Sequence, residues 1–183
     1  MDDALIFLFR TLADLFLIVL LLRLFMQLFR ADFRNPVSQA IVRITSPFIV
    51  PLRRVLPPMG KIDTATLLVI LLFELVFVAA MAYALNMSPH GFGLLYYAIL
   101  RTVMVALRFF FFAIIVYVIL SWVAPGTYNP VTSLLSQLVN PILDPARRII
   151  PTIGGLDLSP LLVAILLQAA SIAVGGGLPG VLH

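Results

Sequence analysis

Residues 35–63 read NPVSQAIVRITSPFIVPLRRVLPPMGKID, and residues 129–157 read NPVTSLLSQLVNPILDPARRIIPTIGGLD. At a spacing of 94 the two stretches agree at Asn35/Asn129, Pro36/Pro130, Val37/Val131, Pro47/Pro141, Pro51/Pro145, Arg53/Arg147, Arg54/Arg148, Pro57/Pro151, Gly60/Gly154 and Asp63/Asp157. This is an internal repeat. Each copy lies between long apolar runs, so the chain divides into two units of one design, expected over residues 1–89 and 90–183.

Those runs set the class. With 62% hydrophobic residues and a mean hydropathy of +1.14, the chain lacks the polar surface of a soluble domain. A bilayer core of about 30 Å needs about 20 apolar residues per helix. Four runs qualify: residues 4–29, 64–85, a span near 104–123 within the longer stretch 94–123, and 159–174, where GGGLPG ends the chain's last apolar run. The start of the third run is expected to lie along the interface before the helix enters the membrane. The acidic opening MDDALIF lacks the basic flank of a secretory signal, so no cleaved leader is expected.

Cations are placed unevenly. The first connector carries Arg30, Arg34, Arg43, Arg53, Arg54 and Lys61, the third carries Arg147 and Arg148, and the middle one, NMSPHGFG, carries neither Lys nor Arg. The positive-inside rule then puts connectors 30–63 and 124–158 in the cytoplasm and both termini outside. Two spans per unit give both units the same sense, hence parallel repeats about an axis along the membrane normal. There is no cysteine, and the two histidines are His90 and His183. Disulfides, thiolate metal sites and cysteine nucleophiles are thereby excluded, and neither a metal site nor a haem ligand pair can be assembled, so no cofactor is expected.

Asn35-Pro36 and Asn129-Pro130 read as a helix cap followed by proline at the first helical position. The apolar positions that follow, Val37, Ala40, Ile41, Ile44 and Phe48, recur as Val131, Leu134, Leu135, Leu138 and Ile142. One stripe at helical spacing opposite polar Ser38, Gln39 and Arg43 predicts an amphipathic helix along the cytoplasmic interface. Pro47 and Pro141 are expected to stop that helix, with Pro51, Pro57, Pro145 and Pro151 bending the chain back toward the membrane. Arg53, Arg54, Arg147 and Arg148 then form a basic face for anionic lipid or a membrane partner, or pair with Asp63 and Asp157 at the feet of the second and fourth spans.

The repeated N-P-V, P-x3-P-x-R-R, P, G and D pattern between two hydrophobic spans resembles the YggT family of bacterial and plastid membrane proteins, over both halves of the chain. The resemblance implies two tandem two-span units in the bacterial inner membrane and no known enzymatic activity. It also implies roles in osmotic-shock tolerance, in cell division or nucleoid distribution, or, in plastids, in assembly of a haem-bearing cytochrome b subunit. It assigns no ligand to the connector positions, and this chain has no cysteine or histidine pair with which to handle haem.

Six charges interrupt the apolar runs: Arg10, Asp14, Arg23, Glu74, Arg101 and Arg108. Each is expected to face a partner or water, because an ionised group in hydrocarbon is costly. Arg10 and Asp14 stand one helical turn apart and can pair; Arg23 is expected to snorkel to the cytoplasmic side. The repeat maps Asp14 onto Arg108 and Glu74 onto Gln168, which predicts a midplane cluster of those four. Two functions follow. The first is a non-enzymatic scaffold or assembly factor, partnered by lipids, by other membrane proteins or by itself, with no nucleic-acid role. The alternative is a potassium or proton channel or transporter with Glu74 near the path.

Overall fold

The computed structural model describes residues 3–60, 62–86, 91–123, 129–150 and 157–182. Lys61, His90, Pro151, Gly154 and His183, on which parts of the sequence argument fall, lie outside the described residues. Six helices follow in order: α1 Asp3–Leu28, α2 Pro36–Arg53, α3 Thr64–Ala84, α4 Gly91–Val123, α5 Pro130–Ile149 and α6 Ser159–Gly175, with a final 3-10 turn at Gly180–Leu182. Three of them, α1, α3 and α4, are long and apolar enough to cross a membrane, and α6 is a shorter apolar helix.

The connector helices begin at Asn-Pro. Asn35 Oδ1 accepts from the Val37 N–H at 2.8 Å and Asn129 Oδ1 from the Val131 N–H at 2.9 Å, closing an otherwise unpaired donor at each first turn. The prolines do not stop these helices as expected. Pro47 and Pro51 lie inside α2, and Pro141 and Pro145 inside α5. Each pair stands four residues apart on an exposed face, so the carbonyls left without a donor turn outward. On the inner face the Thr45 hydroxyl donates to Ile41 O at 2.7 Å and the Ser46 hydroxyl to Val42 O at 2.6 Å. These bonds occupy the two hydroxyls within their own helix and leave them placed to accept from a neighbour.

A second correction concerns α4. The helix does not start near residue 104: it runs unbroken through 33 residues from Gly91, about 50 Å at 1.5 Å per residue. It packs along α6 and leans its N-terminal half on α3, and this continuous contact leaves no break at residue 104.

The buried face of α2 is Ser38, Ile41, Thr45 and Ile49, turned by about 80° from the apolar stripe read in the sequence. Ile44 and Phe48 stay exposed. The helix thus has three sectors, one against the protein, one apolar and open, one polar. α5 packs on two sides: Leu134 and Leu138 join Met26, Ala31 and Ile41 of the first unit, while Val139, Leu143 and Ala146 join α4 and α6 of the second. The two connector helices are also tied directly, since Asn35 Nδ2 donates to Pro130 O and the Asp32 N–H to Gln137 Oε1, both at 2.6 Å.

Candidate functional site

Three helices converge on one guanidinium. Arg101 of α4 donates through Nη1 to Glu74 Oε1 at 2.5 Å and Oε2 at 2.7 Å, and through Nη2 to Asp14 Oδ1. Its Cζ stands 3.8 Å from the centre of the Phe77 ring. Arg101 and Glu74 are wholly buried, whereas the Asp14 side chain is 36% exposed. The chemistry is self-consistent: carboxylates and a planar cation satisfy one another where water is scarce, and the aromatic face adds a cation–π contact. Arg101 Nε alone has no acceptor. Two carboxylates on one guanidinium leave the ionised triad one negative charge in excess.

This cluster differs from the one the repeat predicts. Asp14 and Glu74 meet, but Arg108 and Gln168 are exposed and outside it. Arg108 lines the groove onto which Asp14 opens without bonding to it. The physical reason is that repeat equivalence fixes depth, not facing. The N-terminal half of α4 wedges against α3, so Arg101, two turns before Arg108, is delivered to the acids. A sequence signal existed: Glu74 and Arg101 are equally far along the chain from the midpoint of the α3–α4 connection. In a helical hairpin such residues share a level.

At the connectors, the arginine pairs divide their labour. Arg53 grips Asp63 through Nε and Nη2 and also donates to Gln27 at 3.1 Å, tying α2, α3 and α1 together. Asp63 is wholly buried. Burial pushes its pKa up, but the Arg53 guanidinium and the Thr66 hydroxyl and N–H outweigh that and hold it below the usual carboxylate value. In the second unit Arg147 donates to Asp157 at 2.9 Å, Asn140 at 3.0 Å and Asp144 at 3.2 Å, and Asp157 accepts from the Ser159 N–H at the start of α6. Burial again opposes ionisation of Asp157, and Arg147 with Ser159 overcomes it, leaving its pKa lowered. Burial presses the Arg147 pKa down, but Asp157, Tyr117 and Asp144 more than offset this and leave it raised. Arg54 and Arg148 are exposed and make no ion pair among the described residues.

Arg23 was missed. It does not snorkel: it is 4% exposed and donates to Val42 O at 3.1 Å, Thr45 Oγ1 at 2.7 Å and Ser46 Oγ at 3.2 Å, docking α2 on α1. Its repeat counterpart is Tyr117, whose hydroxyl reaches Asn140 Oδ1 at 3.4 Å, and Asn140 is the counterpart of Ser46. One contact is conserved in place with both residue types changed. Among the described residues no three His, Cys, Asp or Glu side chains converge as a metal would require.

A bundle of apolar helices in two equivalent units, each clamped by an Arg–Asp pair, defines the class, and comparison with known proteins agrees. The profile of the CCB3/YggT family matches twice in tandem, at residues 3–84 and 96–178. An uncharacterized protein of Pseudomonas aeruginosa is 43% identical over 176 residues, covering 95% of this chain and 89% of that one. One encoded in the proC 3′ region of Vibrio alginolyticus is 43% identical over 171 residues, 92% of each. The uncharacterized protein YggT of Escherichia coli K12 is 38% identical over 174 residues, 94% and 89%. The chain belongs to the CCB3/YggT family. No solved structure matches it.

Proposed function

We propose that this protein is a non-enzymatic scaffold of the bacterial cytoplasmic membrane, whose α1, α3, α4 and α6 span the bilayer while α2 and α5 lie along its cytoplasmic face and present fixed arginines to membrane partners or anionic lipid. The two units, residues 1–89 and 90–183, contribute one connector each. The observation that carries this reading is the division of labour at the repeated Arg-Arg: Arg53 and Arg147 hold each connector to the foot of the next helix, and Arg54 and Arg148 are left pointing outward. A rigid mount with a free cation at each of two equivalent places suits recognition of anionic groups.

The test is photo-crosslinking from residues beside Arg54 and Arg148 in native membranes, with both arginines replaced by glutamine. The reading expects the partner or lipid adducts to disappear while thermal stability is unchanged. An identical adduct pattern would refute it.

Transport of potassium or protons, serving osmotic tolerance, is the second reading. It is favoured by the uneven exposure of the triad, whose Asp14 carboxylate is partly open while Glu74 is sealed behind Arg101. Flux through liposomes that Glu74→Gln abolishes would establish it. Absence of flux from folded protein counts against it.

A further inference from the structure

We infer that the face formed by α1, α4 and α5 seats a second copy of this chain, held by reciprocal pairing of Asp14 in each copy with Arg108 in the other. This inference is independent of the scaffold and transport readings. The groove on this face encloses about 410 Å³ and is lined by Asp14, Arg108, Phe109, Phe112, Val116 and Val131 among others. Apart from the two charged residues it is nearly all apolar. Arg108 is exposed in the middle of an apolar helix and has no hydrogen bond or ion pair among the described residues, an arrangement that hydrocarbon disfavours strongly.

Charge complementarity points to the occupant. Asp14 is the carboxylate and Arg108 the guanidinium lining this groove, both are open to it, and the chain does not join them itself. In a twofold dimer the same patch faces itself, so residue i meets j and j meets i. Each Arg108 then gains a carboxylate, and each Asp14 a second cation on its open side.

Depth permits this. A twofold axis along the membrane normal preserves height, so paired residues must lie at one level. Asp14 and Arg108 are repeat equivalents. Each precedes by nine residues, about 13 Å of helix rise, the residue that ties its helix to its connector, Arg23 to Ser46 and Tyr117 to Asn140. Lipid phosphates do not reside at that depth. The apolar knobs lining the groove, Phe112, Val116 and Val131, are exposed and supply packing, which drives helix association in lipid.

The chain has no cysteine, so single cysteines report proximity without background. In native membranes treated with molecular iodine, full-length Val116→Cys should form a disulfide-linked dimer, and Val76→Cys, exposed on α3, should not. In the Val116→Cys chain, Arg108→Leu should cut dimer yield at least tenfold and Arg108→Lys should retain it. Failure of Val116→Cys to dimerise, equal yields from both cysteines, disulfide-independent adducts to a different protein, or indifference to Arg108→Leu would each overturn the proposal. Because the parental cysteine comparison stands without Arg108→Leu, misfolding of that variant does not remove the test.

Discussion

Replacing Arg101 with methionine takes away the guanidinium that Asp14 and Glu74 share. Glu74 is wholly buried, so its carboxylate bears the full loss. Asp14 is partly open, and its share is reduced by screening. Breaking a buried pair by removing one partner costs about 3–5 kcal/mol in water-soluble proteins. Polar contacts between helices in a membrane are weaker, about 0.6 kcal/mol on average, because separated helices also find partners in the bilayer. The low end, about 3 kcal/mol, is therefore expected for Arg101→Met. The informative comparison is the triple variant Asp14→Leu, Glu74→Leu, Arg101→Met, which removes all three charges and keeps an apolar volume. Such replacements are neutral or stabilising by about 1–4 kcal/mol, so the triple variant should match or exceed the parent. Reversible unfolding of the purified chain by SDS in mixed micelles, followed by helical circular dichroism, measures both. If single and triple variants are equally unstable, packing around Phe77 rather than charge compensation is what Arg101 supplies. If Arg101→Met is unchanged, the triad is not structural.

Three further outcomes follow from the connectors. Arg53→Met should destabilise by about 1.5 kcal/mol, the low end for a charged hydrogen-bond partner of a buried group, because Asp63 is left buried while Arg53 itself is partly exposed; the same unfolding assay should find Arg54→Met within about 0.5 kcal/mol of the parent. Asp63 and Asp157 have lowered folded pKa values, so the stability they contribute is present above the unfolded carboxylate value and lost as pH falls through the folded one. Unfolding midpoints should accordingly be flat from neutrality to about pH 5 and drop below about pH 4, with the drop reduced in Asp63→Asn; a parent whose midpoint does not fall on acidification would contradict this. Asn35→Ala should cost about 1 kcal/mol for the cap and more for the bond to Pro130, whereas Asn129→Ala should cost the cap alone, and equal melting shifts would remove Asn35 as a link between the units.

Much of the architecture was legible because it rested on local rules. Apolar length marked the helices, and Asn-Pro marked where α2 and α5 start. What the sequence hid was decided by neighbours. Pro47 and Pro141 read as stops because proline removes an i→i−4 donor. Here the exposed face carries the prolines, so in α2 the carbonyls left without a donor, at Arg43 and Pro47, belong to exposed residues. The stripe of α2 was found, but not the fact that its packed face centres on Ser38 and Thr45, since these are polar residues whose burial depends on the tight fit and on Arg23. Repeat symmetry set Asp14 against Arg108 and Glu74 against Gln168, whereas hairpin geometry delivers Arg101 to both acids. The family's printed names carry no activity, so function was not legible from them.

The shared guanidinium also fixes an order of events in synthesis. Arg101 follows Glu74 by 27 residues and Asp14 by 87. At about 5–20 residues per second on the ribosome, α3 is complete roughly 1–3 s before Arg101 exists, and α1 earlier still. Until then Glu74 has no guanidinium to bind, and the second unit is no longer a spare copy but the source of its partner. Whatever duplication made the two alike, this shared contact makes them inseparable: the first unit, inserted alone, leaves the Glu74 carboxylate without the cation that seals it.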